Sequence, residues 1–450
     1  MEGIMTPRLR INISGIRGVV PEALNVEVAA RLAAAYATYL EKGEILVCRD
    51  TRETGLMLQM AICASIQAAG LTVIDYGQLP TPFLQFELQR RPRAGGIVVS
   101  AGHNPLPWNA IIFLNERGRY LESNEGAEVF NIYEANQFQL VPWNKIGQRR
   151  REEFDFGRYL QSLGREVNLA EIRRARFKIV LDACNGAASP YLESFCEFFG
   201  CECVPLNNDP AKPFPHPPEP GPVVSAQVEA VVKATRADLG VLFNSDASRA
   251  SFVDEQGQGL SEEMTFPLCL LSRQGKTEEA VTTVVTSRWA DWAAQEADLR
   301  LLRTRVGQSA VVQMMAATGV LLGGEGSGSV VWQPFSLGYD GWLALAFLLE
   351  LMSRTGEKLS QLVSKFPPLV FRKLKIDVAP EKMYRLMDRL EKEFAAAKPD
   401  LTDGLTIVQP KIWFNVRPSS TEFILRVFVE GEEAREVEET AAKLEEILRQ

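Results

Sequence analysis

The chain has 450 residues, enough for three or four domains with a core each, and its 46% apolar and 24% charged residues are ordinary for a globular protein. With 49 Lys and Arg against 57 Asp and Glu, the net charge of -8 argues against a nucleic-acid partner, and no basic stripe contradicts this. The first ten residues lack a signal-peptide core and the longest apolar run, 342–349, is far too short for a bilayer, so a cytoplasmic protein with no membrane partner is expected.

In chain order, a short strand around Ile11 and Ile13 enters Ser14-Gly15-Ile16-Arg17-Gly18, which delivers one arginine between two glycines. Helical spacing over 26–41 ends at Gly43, 45–48 is a strand, 56–69 a second helix and 71–76 another strand. The buried strand 97–99 opens into Ser100-Ala101-Gly102-His103-Asn104-Pro105, where small residues admit a ligand close to the backbone and His103 and Asn104 add side-chain donors. A second apolar run follows over 110–114.

The same alternation returns. Strand 177–181, helix 190–199, strand 203–206 and helix 225–234 lead to strand 239–243. The loop Asn244-Ser245-Asp246-Ala247-Ser248-Arg249 separates that strand from 250–253. A third round has strand 281–286, helix 287–296, helix 310–318, the glycine loop 323–329 and a long apolar helix from 340 to 351. Alternating strands and helices predict parallel or mixed sheets with helices on their faces. The end differs: helix 381–397, strands 405–408, 411–416 and 423–430, then helix 432–448, an α+β unit. Its loop Arg417-Pro418-Ser419-Ser420-Thr421-Glu422 offers one cation and three hydroxyls, a set suited to phosphate. The seven cysteines sit mostly in apolar patterns and read as buried thiols, and His103 and His216 cannot build a histidine-rich metal site.

Five of these loops, in this order, resemble the α-D-phosphohexomutase superfamily of phosphoglucomutases, phosphomannomutases and phosphoglucosamine mutases. Residues 14–18 match its S-G-I-R-G, 100–105 fall on the T-A-S-H-N-P phosphoserine loop, and 244–249 on the D-G-D-A-D-R metal loop. Residues 324–329 fall on the G-E-x-S-G-H sugar loop and 417–422 on R-P-S-G-T-E, the phosphate loop. The resemblance implies three consecutive α/β domains with mixed sheets plus a C-terminal α+β domain around a central cleft. Domain limits are expected at 1–152, 153–256, 257–370 and 371–450. In such a protein a phosphoserine gives its phosphoryl group to a hexose monophosphate, and magnesium held by three aspartates neutralises the transferring group.

Position by position, the catalytic half departs from that pattern. Gly102 stands at the phosphoserine, Asn244 and Ser248 flank Asp246 where two more aspartates belong, and Ile112 replaces the lysine of N-G-I-K. Two neutral oxygens and one carboxylate make a poor magnesium site. The joint loss of these charges leaves the pocket roughly neutral. Ser329 replaces the terminal histidine of the sugar loop and Tyr339 the arginine of G-R-D-G. The binding half is fuller: Arg17, His103, Asn104, Glu325, Ser327, Arg417, Ser419 and Thr421 remain, and Arg305, where a lysine is usual, and Ser420, in place of the phosphate-loop glycine, join them as candidate contacts. The leading expectation is a protein that binds a hexose or hexosamine phosphate without efficient mutase turnover. Two alternatives stay open: an active mutase with a displaced serine such as Ser100, and a regulatory or scaffold subunit of an intact mutase; the expected assembly is a homo-oligomer or a pairing with an intact mutase paralogue.

Overall fold

The computed structural model describes residues 10–12, 15–91, 93–419 and 424–449. Four sheets follow one another along the chain. The first has seven strands in the order Arg10–Asn12, Gly15–Val19, Trp108–Asn115, Gly95–Val99, Glu44–Arg49, Thr72–Gln78, Arg149–Arg151. Its centre is parallel, and antiparallel partners on one side make it mixed. The second and third have four strands each, with parallel centres and one antiparallel edge. The fourth is wholly antiparallel, in the order Val370–Asp377, Ile424–Gly431, Ile412–Pro418, Leu405–Val408.

Local sequence accounts for the elements. Ile45, Leu46, Val47 and Cys48 are all buried, as a strand covered on both faces requires. The helix Val26–Leu40 starts at Asn25, whose side chain accepts from Val28 N at 3.0 Å. The helix Gly341–Thr355 starts at Asp340, which accepts from Trp342 N and Leu343 N and receives the Tyr159 hydroxyl at 2.6 Å, and it stops at Gly356 with φ +69°. Residues 341–352 of that helix are buried, because it lies where the first three units meet. Trp342 packs on Phe243 and Phe195 at 4.6 and 5.0 Å between ring centres, and truncating it to alanine would cost about 3–5 kcal/mol.

The fourth unit has a separate core and docks on the third through polar contacts. The buried Glu430 accepts from Trp413 Nε1, from Arg288 N and from the Ser287 hydroxyl, and Asp403 accepts from Val306 N and Arg417 Nε. No helix among the described residues is long and apolar enough to cross a membrane.

Several expected limits move. An unforeseen helix, Thr81–Leu88, carries Pro82 in its first turn, where a missing N–H is harmless. The glycine loop expected over 323–329 is the tip of a hairpin, Leu322–Glu325 with Ser329–Trp332. The strand expected to reach 286 ends at Thr283, because the Thr286 hydroxyl turns back onto Thr282 and Thr283.

Candidate functional site

One cleft of about 500 Å³ runs between the four units, lined by their loops. Its floor is the turn after the strand Gly95–Val99. That turn is wired to one buried guanidinium: Arg52, 1% exposed, pairs with Asp50 at 3.1 Å and donates to the carbonyls of Gly102, Asn104, Pro105 and Trp108. Phe214 lies against the Arg52 guanidinium at 5.0 Å. Ser100, the displaced-serine candidate, is fully buried. Its hydroxyl donates to Asp50 Oδ2 at 2.8 Å and accepts from Gly102 N at 3.0 Å. Gly102 lies in the left-handed region at φ +54°. A Cβ there would meet Asn244 Nδ2 at 3.6 Å and the Asp246 carboxylate at 3.8 and 3.9 Å, so the cleft floor has room where a side chain would stand.

Across from Gly102, the turn after the strand Leu239–Phe243 presents Asp246. Both of its oxygens are occupied. Oδ1 accepts from Asn244 Nδ2 at 2.8 Å, Ser248 Oγ at 2.7 Å and Ser248 N at 3.2 Å; Oδ2 accepts from Thr81 Oγ1 at 2.7 Å. Asn244 and Ser248 therefore act as donors to the one remaining carboxylate. A magnesium ion at this turn would have to displace them and would gain a single anionic ligand. Among the described residues no group of three or more His, Cys, Asp or Glu side chains is arranged to hold a metal ion.

Six cations line the cleft, Arg17, Arg249, Lys373, Lys375, Arg417 and Arg426, with five carboxylates among them, and Arg249 lies 4.0 Å from Glu219. Arg17 donates to Asn104 Oδ1 at 2.9 Å, while its buried Nε has no hydrogen-bond partner among the described residues. Burial first, then Arg249, Arg17, Arg426 and Lys375, hold the His103 imidazole well below its ordinary pKa, so it is neutral near pH 7. Lys373 pairs with Glu262 at 2.6 Å and Glu263 at 2.7 Å; burial still pushes Glu263 up to about 7. On the sugar loop, Glu325 receives the Tyr339 hydroxyl at 2.6 Å, and burial raises its pKa against that hydrogen bond. The Ser327 and Ser329 hydroxyls lie 2.9 Å apart. Ile112, 3% exposed, forms apolar wall at the position where the family's N-G-I-K pattern has a lysine.

Thus Arg17, Ser100, Gly102, His103, Asn244, Asp246, Ser248, Glu325, Ser327, Arg417 and Ser419 come together on the cleft, with Asn104 behind Arg17. Arg305 does not join them: it is exposed and donates to the Thr402 carbonyl at 3.2 Å, because the chain turns Val306 and Gly307 inward instead. Ser14, Ser420 and Thr421 lie outside the described residues. Sequence reasoning missed Arg249, Lys373, Lys375, Arg426 and Tyr120 as cleft residues. The signal for Arg426 was present, a lone cation inside the apolar strand Ile424–Gly431.

Comparison with known proteins agrees with this architecture. Models of the phosphoglucomutase/phosphomannomutase family match in sequence: α/β/α domain I over residues 8–140, domain II over 157–257, domain III over 266–369 and the C-terminal domain over 374–447. The chain is 33% identical over 444 residues to a phosphoglucomutase/phosphomannomutase of Thermococcus kodakarensis, covering 96% of this chain and 97% of the relative. It is 32% identical over 450 residues to the "Probable phosphoglucosamine mutase" of Pyrococcus horikoshii, covering 97% of each. The solved structure of a phosphoglucomutase/phosphomannomutase family protein from Burkholderia thailandensis superposes with a TM-score of 0.81 at 25% identity, covering 98% of both chains. With four sheets in the family's order and all four of its domain models matched along the chain, this protein belongs to the phosphoglucomutase/phosphomannomutase family.

Proposed function

We propose that this protein binds a hexose or hexosamine phosphate in the cleft and does not turn it over efficiently as a mutase. The observation that carries the reading is Gly102 facing Asp246: the position offers space but no hydroxyl, and the carboxylate opposite is saturated by internal donors. Phosphoryl transfer through a protein nucleophile needs a group that can bond phosphorus and a cation beside it. Gly102 supplies no such group, and magnesium has no part in this reading. The work left to the cleft is recognition. Neutral His103 can donate one hydrogen bond and accept another, Arg17 and Arg249 attract an anion, and Glu325 and Ser327 face the space a sugar would fill.

A second reading, an active mutase through Ser100, draws on the 2.8 Å hydrogen bond from Ser100 to Asp50, a carboxylate whose pKa is raised by burial and so able to take a proton. Against it, Ser100 is fully buried and its oxygen already accepts from Gly102 N. The third, a scaffold or regulatory subunit paired with an intact mutase, predicts no phosphosugar binding.

A thermal-shift panel of hexose and hexosamine monophosphates, with and without magnesium, separates the three. The binding reading predicts stabilisation that grows with the logarithm of ligand concentration and is indifferent to magnesium. No stabilisation by any phosphosugar would sink it, and a single phosphate on Ser100 in an intact-mass peptide map would favour the second reading.

A further inference from the structure

We infer that Cys196 and Cys203 form a redox-active dithiol at the edge of the second sheet, which closes to a disulfide on reaction with a small-molecule disulfide such as oxidised glutathione. The inference is independent of the cleft and of its ligand.

Local structure brings the two thiols together. Cys196 lies in the last turn of the helix Leu192–Phe199, which stops at Gly200 with φ +70°. There the chain folds back on the helix end: Gly200 N donates to the Glu197 carbonyl at 3.2 Å and Cys201 N to the Cys196 carbonyl at 2.8 Å. The chain then enters the strand Glu202–Leu206, which is the last in its sheet and pairs with Lys178–Asp182. Successive side chains of a strand face opposite sides of the sheet. Val204 and Leu206 pack with Val228 and Val232 on one face. Cys203 packs on the other, against the core that contains Cys196. Here the Cys196 S–H donates to the Cys203 sulfur. The short connection between them is held at both ends by backbone hydrogen bonds, so the contact is built into the local fold.

The two thiols differ in role. Cys196 is 1% exposed, whereas Cys203 is half-buried at the sheet edge, so a reagent from solvent meets Cys203 first. The reactive form of a cysteine is its thiolate. The hydrogen bond from Cys196 lowers the Cys203 pKa, against burial and the nearby Glu193, and the same bond holds the Cys196 thiol up. The Cys203 thiolate attacks one sulfur of the small disulfide, forms a mixed disulfide and releases one small thiolate. Cys196 then gives up its proton, bonds to the Cys203 sulfur and expels the second small thiolate. Two protein thiols are oxidised, one small disulfide is reduced, and the two released protons end on the two small thiols.

Cys201 is the competitor. Burial pushes its thiol up to about 12, and its S–H points to the Phe199 carbonyl at 3.9 Å, so it is the poorer nucleophile. Cys184 stands at the opposite end of the sheet, fully buried beside His216 at 3.8 Å. Among the described residues no three such groups are arranged to hold a metal ion, which leaves thiol chemistry to the pair.

The test uses the folded full chain in glutathione buffers of rising oxidised fraction. Free thiols are alkylated at the quench, and a Glu-specific protease then separates the three cysteines, because Glu197 and Glu202 lie between them. The expected product is the Cys196 peptide linked to the Cys203 peptide, rising with the oxidised fraction, reversed by dithiothreitol, with Cys201 alkylated throughout. Cys201→Ser is expected to keep the link and Cys203→Ser, at a half-buried edge position, to abolish it. In urea the same link is expected to need a more oxidising buffer, because the fold no longer positions the pair. Three alkylated cysteines at every ratio, a lasting glutathione adduct on Cys203 beside a free Cys196, or a link through Cys201 would each overturn the inference. So would a link that forms in urea as readily as in the folded chain.

Discussion

Gly102→Ser restores the side chain that a phosphoryl carrier needs and isolates what else the site lacks. The stability cost follows from the backbone: at φ +54° a non-glycine residue is disfavoured by about 1–2 kcal/mol. No steric cost adds to it, since the new Cβ would meet its neighbours at 3.6 to 3.9 Å, ordinary van der Waals contact. Urea unfolding should therefore place the variant about 1–2 kcal/mol below the parent, still folded. Chemistry should not return. The new hydroxyl would face Asp246 with its oxygens occupied by Asn244, Ser248 and Thr81, so no cation stands ready to neutralise a transferring phosphoryl group. After incubation with hexose 1,6-bisphosphate and magnesium, intact mass should show unmodified protein, and a coupled assay should show background conversion. A phosphate on residue 102 together with magnesium-dependent turnover would refute the reasoning, and so would a destabilisation beyond about 4 kcal/mol, which would mean that the space is not there.

Arg52→Met should be severe, at least about 3–5 kcal/mol by chemical denaturation, because it strands Asp50 as an unpaired buried charge and strips donors from four loop carbonyls. Tyr339→Phe should cost about 1–3 kcal/mol, since the buried Glu325 loses its 2.6 Å donor, and should weaken phosphosugar binding in the thermal-shift panel. Asp340 reports on pH. Burial raises its pKa to about 6, so its contribution is complete below the unfolded value of 3.8 and is lost as pH rises through about 6. Asp340→Asn removes that titration, so its stability measured against the parent should rise between pH 4 and pH 7; a pH-independent difference would contradict the assignment.

The sequence made the loops legible because each joins a strand to the next element and carries its chemistry in neighbouring residues. Gly102, Asp246 and Ile112 could be singled out without coordinates because the resemblance set those loops and the strand Trp108–Asn115 against the family's motifs position by position. Strand limits such as Leu239–Phe243 and Ala250–Val253 were equally readable, bounded as they are by a polar loop. What escaped was tertiary. Thr81 caps Asp246 from 165 residues away, and nothing local marks it. The row Lys375, Arg426, Arg417 exists only through strand register. Arg305 looked like a cleft cation because it stands where the resembling family often has a lysine, but backbone direction sends its neighbours inward and leaves it on Thr402. The helix Thr81–Leu88 was hidden by Pro82, which reads as a breaker unless it falls in the first turn.

The central claim is that recognition outlasts turnover in this cleft, and it is tested most directly by assaying the wild-type protein with hexose 1-phosphate, hexose 1,6-bisphosphate and magnesium while binding is followed on the same preparation. The account predicts saturable phosphosugar binding with no conversion above the enzyme-free control. Magnesium-dependent conversion that disappears in Ser100→Ala would contradict it.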